Sequence, residues 1–240
     1  MQIITQRVLS DTVYSKGTAV LTYTIRYPYF TTTCSESAAL SINAFYSAAA
    51  KKTEEYCHTV LASQASVQAE YAQKDNYPFF GYEFISAYTV TWNSGCMTSL
   101  YTDQYTYTGG AHGSTIRTSD TWDFSSGRYL TLADFYPHNP SYREGIYRNL
   151  EQQVKEREKE SSSTYFDDYS SLIRSTFKPE NFFVTPKGIV IYFQQYDIAP
   201  YSTGIPGKWC VFQVPLLRPD SFFYFSFIFC LQILPKSVII

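Results

Sequence analysis

One amphipathic stretch, residues 36–72, constrains this chain more than any other. Ile42, Phe45, Tyr46, Ala49, Tyr56, Val60, Val67 and Tyr71 recur at spacings close to i, i+3, i+4, i+7. That pattern predicts a long helix with an apolar stripe, opened by Ser35 or Ser37 as cap. Ser, Lys, Glu and Gln fill the opposite face, so the stripe needs a sheet to lie on. Strand patterns flank it on both sides. Residues 18–27 alternate, with Ala19, Leu21, Tyr23, Ile25 and Tyr27 on one face, and Pro28 is expected to end that strand. Residues 82–92 and 96–107 form two more strands, joined by the hairpin chemistry of Asn93-Ser-Gly95. Phe84, Tyr88, Val90 and Trp92 line one of them; Met97, Ser99, Tyr101, Tyr105 and Tyr107 line the other. Residues 115–124 and the turn at Ser125-Ser-Gly127 complete a meander.

The second half repeats the alternation of helices and strands. Residues 130–136 read as a short helix with Thr131 as cap and Asp134 at the third helical position, close to a capping box. Tyr142, Ile146, Leu150 and Val154, spaced by four, mark a second amphipathic helix that ends in the solvated charge run 155–160. Residues 169–177 suggest another short helix, and 182–185, 188–194 and 209–216 are strand-like. The expected fold class is α+β, in two subdomains of antiparallel sheet each covered by helices.

Two loops stand out as places for recognition. Tyr105 and Tyr107 share a strand face and lead into Gly109, Gly110 and Gly113, with His112 held at the tip. The glycines allow backbone angles and close approaches that a Cβ forbids. The second loop, 197–207, is stiffened by Pro200 and presents Tyr201. Stiff loops carrying tyrosine lose little entropy on binding. Each loop also has a structural reading: a tight turn whose histidine satisfies local backbone groups, and a crossing loop whose tyrosine packs on the sheet.

The run Tyr105-Thr-Tyr-Thr-Gly-Gly-Ala-His-Gly113, with 121–135, 188–193 and 196–204, resembles the extracellular domain of RsiV-type anti-sigma factors. It is also similar to the non-catalytic N-terminal region of PdaC-type peptidoglycan deacetylases. Upstream, 23–28 and Ile42-Asn43 resemble the companion domain that precedes it in those proteins. The resemblance covers roughly residues 1–218 and divides the chain into a PdaC-like subdomain, 1–100, and an RsiV-like subdomain, 101–218. It implies a non-catalytic extracellular binding or sensing module of the bacterial cell envelope. The implied ligand is lysozyme or a peptidoglycan-type glycan, and the two loops are expected to form its recognition surface through Tyr105, Tyr107, Gly109, Gly110, His112, Gly113, Pro200 and Tyr201. It also implies export, with the signal or membrane anchor lying outside this sequence. Residues 219–240 depart from the pattern: 222–234 are thirteen uncharged residues, short of the roughly 20 that a spanning helix needs.

Composition narrows the classes further. The chain has 240 residues, 19 basic and 21 acidic, and no basic stripe, which gives a nucleic-acid role little support. Five cysteines show neither a CxxC pair nor zinc spacing; Cys34 and Cys57 could pair, while Cys96 and Cys210 read as small core residues. No cofactor or metal is implied. The rival reading is a hydrolase of cell-wall glycan, with His112 and one of Asp123, Asp134 or Asp197 as acid and base. No G-x-S-x-G elbow and no phosphate loop supports it.

Overall fold

The computed structural model describes residues 1–160 and 164–203 in full, and the backbone of a strand at 211–214. The apolar tail, the far end of the second loop, Cys210 and Cys230 lie outside the described residues. Six strands form a large sheet in chain order: β1 (Ile3–Ser15), β2 (Thr18–Thr31), β3 (Tyr82–Ser94), β4 (Met97–Tyr107), β5 (Ser114–Asp123) and β6 (Arg128–Tyr129). A small sheet follows, made of β7 (Phe182–Thr185), β8 (Gly188–Tyr192) and β9 (Val211–Val214). Helices α1 (Glu36–Tyr56) and α2 (Ala62–Lys74) cover the large sheet, and α3 (Tyr142–Glu160) and α4 (Tyr169–Thr176) belong to the small one. This is the α+β, two-subdomain architecture expected. Residue 100 itself falls inside β4, and the large sheet runs on to Tyr129.

The parity of β4 and β5 stacks the layers. Leu100 and Trp122 point towards α1, where they pack with Phe30, Ile42, Tyr46 and Phe124. Ser99, Tyr101 and Thr121 point the other way, onto the small sheet: Tyr101 packs against a cluster of Phe183, Val190 and Tyr192, and the Val184 N–H donates to Ser99 Oγ at 2.9 Å. The opposite face of β7 and β8, with Phe182, Val184, Ile189 and Ile191, buries Ile146, Leu150 and Val154 of α3. The result is four layers: helices, large sheet, small sheet, helices. Thr131 and Asp134 form the expected capping box, there on a short 3₁₀ helix, Leu132–Phe135.

The sheet is antiparallel except between β2 and β3, which run parallel over Leu21–Ile25 and Tyr82–Ser86. A parallel pair needs a crossover, and the α1–α2 helix supplies it. Beyond Ile25 the strands part, and for that reason Pro28 does not end β2. Its missing N–H would face a side with no β3 partner, so the strand continues to Thr31. There Asn43 of α1 takes the absent strand's place. The Phe30 N–H donates to Asn43 Oδ1 at 2.7 Å, and Asn43 Nδ2 donates to the Phe30 carbonyl at 2.9 Å.

Three further expectations are corrected. The helical stripe is displaced: Phe45 and Ala49 in its first half and Tyr56, Val60, Val67 and Tyr71 in its second are exposed, whereas Cys57, Leu61, Ala62, Ala65 and Ala72 are buried. Small residues let this helix lie close to the sheet, and a π turn at Cys57–Leu61 carries the inner face through. Trp92 does not share the face of Phe84 and Val90. A register shift between Val90 and Trp92 turns it into the cluster beneath α3. Finally, Cys34 pairs with Cys96 rather than with Cys57; their Cα atoms are 5.9 Å apart. The end of β2 and the β3–β4 turn meet at one end of the sheet, and Cys57 lies buried under the middle of the helix, its thiol pushed up to about 12 by burial.

Asn43→Ala leaves the buried Phe30 N–H and C=O without partners and should cost about 2–4 kcal/mol in denaturant titration. A second outcome concerns Asp120, whose carboxyl accepts from Tyr46 Oη at 3.0 Å and is raised by burial to about 6. The fold therefore favours the protonated acid: this contribution is full below the unfolded pKa, near 4, and is lost as pH rises through about 6. Asp120→Asn should stabilise the protein at pH 7 by roughly 1–3 kcal/mol relative to wild type, with the gap closing at pH 4.

Candidate functional site

The loop between β4 and β5 begins as Tyr107 leaves the strand. Gly109 and Gly110 adopt φ of 93° and 88°, which other residues enter only with strain, and Tyr107 Oη donates to the Gly110 carbonyl at 3.1 Å. Gly113 is required for a different reason. A Cβ there would sit 2.5 Å from Tyr105 Cε2 and 2.6 Å from the Thr106 carbonyl. The Tyr105 ring thus lies directly against the returning backbone, which fixes the direction in which the loop presents His112.

The second loop comes down on top of the first. Tyr201 Oη donates to the Gly113 carbonyl at 2.8 Å, and the Tyr201 ring stacks on the His112 ring with centroids 3.9 Å apart and planes 20° from parallel. His112 Nδ1 lies 3.0 Å from the same carbonyl. A carbonyl can only accept, so Nδ1 is the donor in this contact, and the ring as a whole is exposed. Pro200 precedes the 3₁₀ turn Tyr201–Thr203 that sets the tyrosine in place. The two loops singled out from sequence therefore form one patch, though some ninety residues apart in the chain.

Several participants were missed. Tyr196 is 57% exposed, sits in the left-handed region at φ 67°, and lies 5.9 Å from Tyr201 ring to ring. A tyrosine in that backbone region is uncommon and is held there by its surroundings. Gln195 Oε1 accepts from the Thr115 N–H at 2.9 Å. Gln194 accepts from the Arg117 N–H at 3.0 Å and donates to the Arg117 carbonyl at 2.7 Å. Beneath them the Arg117 guanidinium is 4% exposed; it makes two 2.7 Å bonds to Asp103 and lies 3.8 Å above the Tyr101 ring. Only the succession Gln194-Gln195-Tyr196 at a strand end hinted at this support, because Arg117 and Asp103 meet only through strand register.

The carboxylates named for an acid–base role are engaged elsewhere. Asp123 accepts from Ser125 and Ser126 in its own turn, Asp134 binds Thr131 and Arg128, and Asp197 accepts from the Gln194 N–H. Among the described residues, no hydrogen bond or ion pair joins His112 to a carboxylate, and no group of three His, Cys, Asp or Glu is placed to hold a metal ion. The arrangement offers aromatic surface and a few hydrogen-bonding groups. Gly113→Ala should force Tyr105 out of its position and destabilise the protein by about 1–3 kcal/mol. In a thermal melt this is a fall of roughly 2–4 °C for each kcal/mol.

Residues 14–115 match the family model described as deacetylase PdaC, and residues 133–208 match that of a protein of unknown function, DUF3298. No curated protein matches the chain. Among solved structures, a DUF3298-family protein from Bacteroides fragilis NCTC 9343 has a TM-score of 0.67 at 20% identity, over 89% of this chain and 90% of its own. A DUF3298-family protein from Pseudomonas aeruginosa has a TM-score of 0.55 at 18% identity, over 89% and 91%. At these identities the likeness establishes a shared fold. Each family model matches less than half of the chain, the first part being similar to PdaC and the second to DUF3298.

Proposed function

We propose that this chain is a non-catalytic binding or sensing module of the bacterial cell envelope. Its ligand, a lysozyme-like protein or a peptidoglycan-type glycan, would be received on the patch made by Tyr107, His112, Tyr196 and Tyr201. The observation that carries this reading is the stack of His112 on Tyr201, which makes one rigid aromatic surface from two separate loops. Such a surface supplies contact area at little entropic cost, and the exposed His112 ring adds a polar aromatic group for hydrogen bonding. The resemblance to RsiV-type anti-sigma factors adds lysozyme as a candidate, and the PdaC match supports an envelope setting. An extracellular or envelope location is further supported by the Cys34–Cys96 disulfide, since such bonds persist in oxidising compartments.

Calorimetric titration with lysozyme, beside soluble peptidoglycan fragments, tests the proposal on wild type, His112→Ala and Tyr196→Asn. Asparagine tolerates the left-handed backbone at 196, so that variant removes the ring and spares the loop. Saturable heat with one ligand, weakened at least roughly tenfold by both changes, is the expected result. No heat with either ligand, from protein whose melting is intact, overturns it.

A further inference from the structure

Strand β1 forms one edge of the large sheet, and its thirteen residues have β2 on one side and no strand on the other among the described residues. A long open edge is a template for another strand, and proteins commonly blunt it with proline, lysine or a bulge. Here the blunting is slight. The strand holds no proline or lysine, and its register shift against β2 lies near its end, between Val13 and Tyr14. Ile3, Val8 and Tyr14 are exposed along it.

The two charges of β1 are placed in a particular way. Arg7 and Asp11 are its only ionised side chains, and they flank Leu9, the middle residue of Ile3–Ser15. All three lie on one face, because they are two residues apart. Neither charge makes an ion pair among the described residues. Arg7 lies 4.8 Å over the Tyr29 ring, and an Asp11 carboxylate oxygen accepts only from the neighbouring Thr12 N–H.

We propose that β1 is a self-association edge, pairing antiparallel with β1 of a second copy about a two-fold axis at Leu9. In that register residues whose numbers add to eighteen stand opposite each other. Leu9 faces Leu9 of the second copy, Arg7 faces Asp11, and Asp11 faces Arg7, so both charges are matched at once. On the other face Val8 meets Ser10 and Ile4 meets Tyr14. Changing the sum by two leaves both charges unmatched, and changing it by four sets one like pair face to face, so the charges select the centred register. A second copy is the occupant that fits, since the strand is complementary to itself in length and in charge. The paired edges join two six-stranded sheets into one, and α1 and α2 pack mainly over β2 rather than over the edge strand.

Sedimentation velocity between low and high micromolar protein tests this, using Arg7→Asp, Asp11→Arg and their mixture. Both residues are exposed, so neither change disturbs the core. Wild type should show a concentration-dependent dimer. Each single variant, which sets like charges against each other twice, should weaken dimerisation by roughly tenfold or more. Mixing the two variants should restore it. The introduced aspartate of one copy then faces the introduced arginine of the other, and the remaining Asp11 of the first faces the remaining Arg7 of the second. A wild type that stays monomeric throughout, or a dimer indifferent to both reversals, overturns the proposal. None of these outcomes depends on what the aromatic patch binds.

Discussion

Two side-chain amides hold this fold together where strands run out. Asn43 bonds both the N–H and the C=O of Phe30, and Gln194 does the same for Arg117. In each case an amide group, with one donor and one acceptor held in a plane, imitates the neighbouring strand that is absent. The first clamp ties α1 to the stretch of β2 that β3 has left. The second ties the end of β8 to the free edge of β5. Without them each strand would present buried or half-buried backbone groups with no partner, a cost of about 1–3 kcal/mol apiece. The four layers are thus joined by polar clamps as well as by apolar packing.

The second clamp also explains why the aromatic patch has a defined shape. Gln194 and Gln195 anchor the second loop to β5, and Tyr201 then reaches Gly113 with its hydroxyl. Directly below, the bidentate pair of Arg117 and Asp103 is covered by the ring of Tyr101. A buried charge pair of this sort contributes little net stability, since desolvation offsets its attraction. Losing one partner would be costly, however, so it holds the register of β4 against β5 at the base of the loop. The platform on which His112 rests is therefore set from two sides, by the anchoring of the second loop and by the register of β4 against β5.

Much of this was legible in the chain. The long helix, the Asn93-Ser-Gly95 hairpin, the capping box at Thr131 and Asp134, and the inward row Tyr142, Ile146, Leu150 and Val154 all depend on local spacing, and local spacing is visible in sequence. What escaped was decided by size or by distance. The inner face of α2 is built from alanines, which carry a weaker apolar signal than the exposed Val67 and Tyr71. The parallel pairing of β2 with β3 and the Cys34–Cys96 bond join residues some sixty apart, and no local pattern announces them. At the candidate site the two loops could be named and expected to share one surface, but the stack of Tyr201 on His112 that joins them could not be read. Their meeting depends on the small sheet stacking over β4 and β5.

The disulfide has a mechanical side as well. It closes a loop of 62 residues that contains the whole α1–α2 crossover and β3. Extended, that length of chain would span roughly 200 Å at about 3.3–3.6 Å per residue. With the bond in place none of that slack can be released when the molecule is pulled from its ends. Load entering at β2 passes through sulfur directly to the β3–β4 turn, bypassing the helix, so the first thing to yield under tension lies outside the crossover.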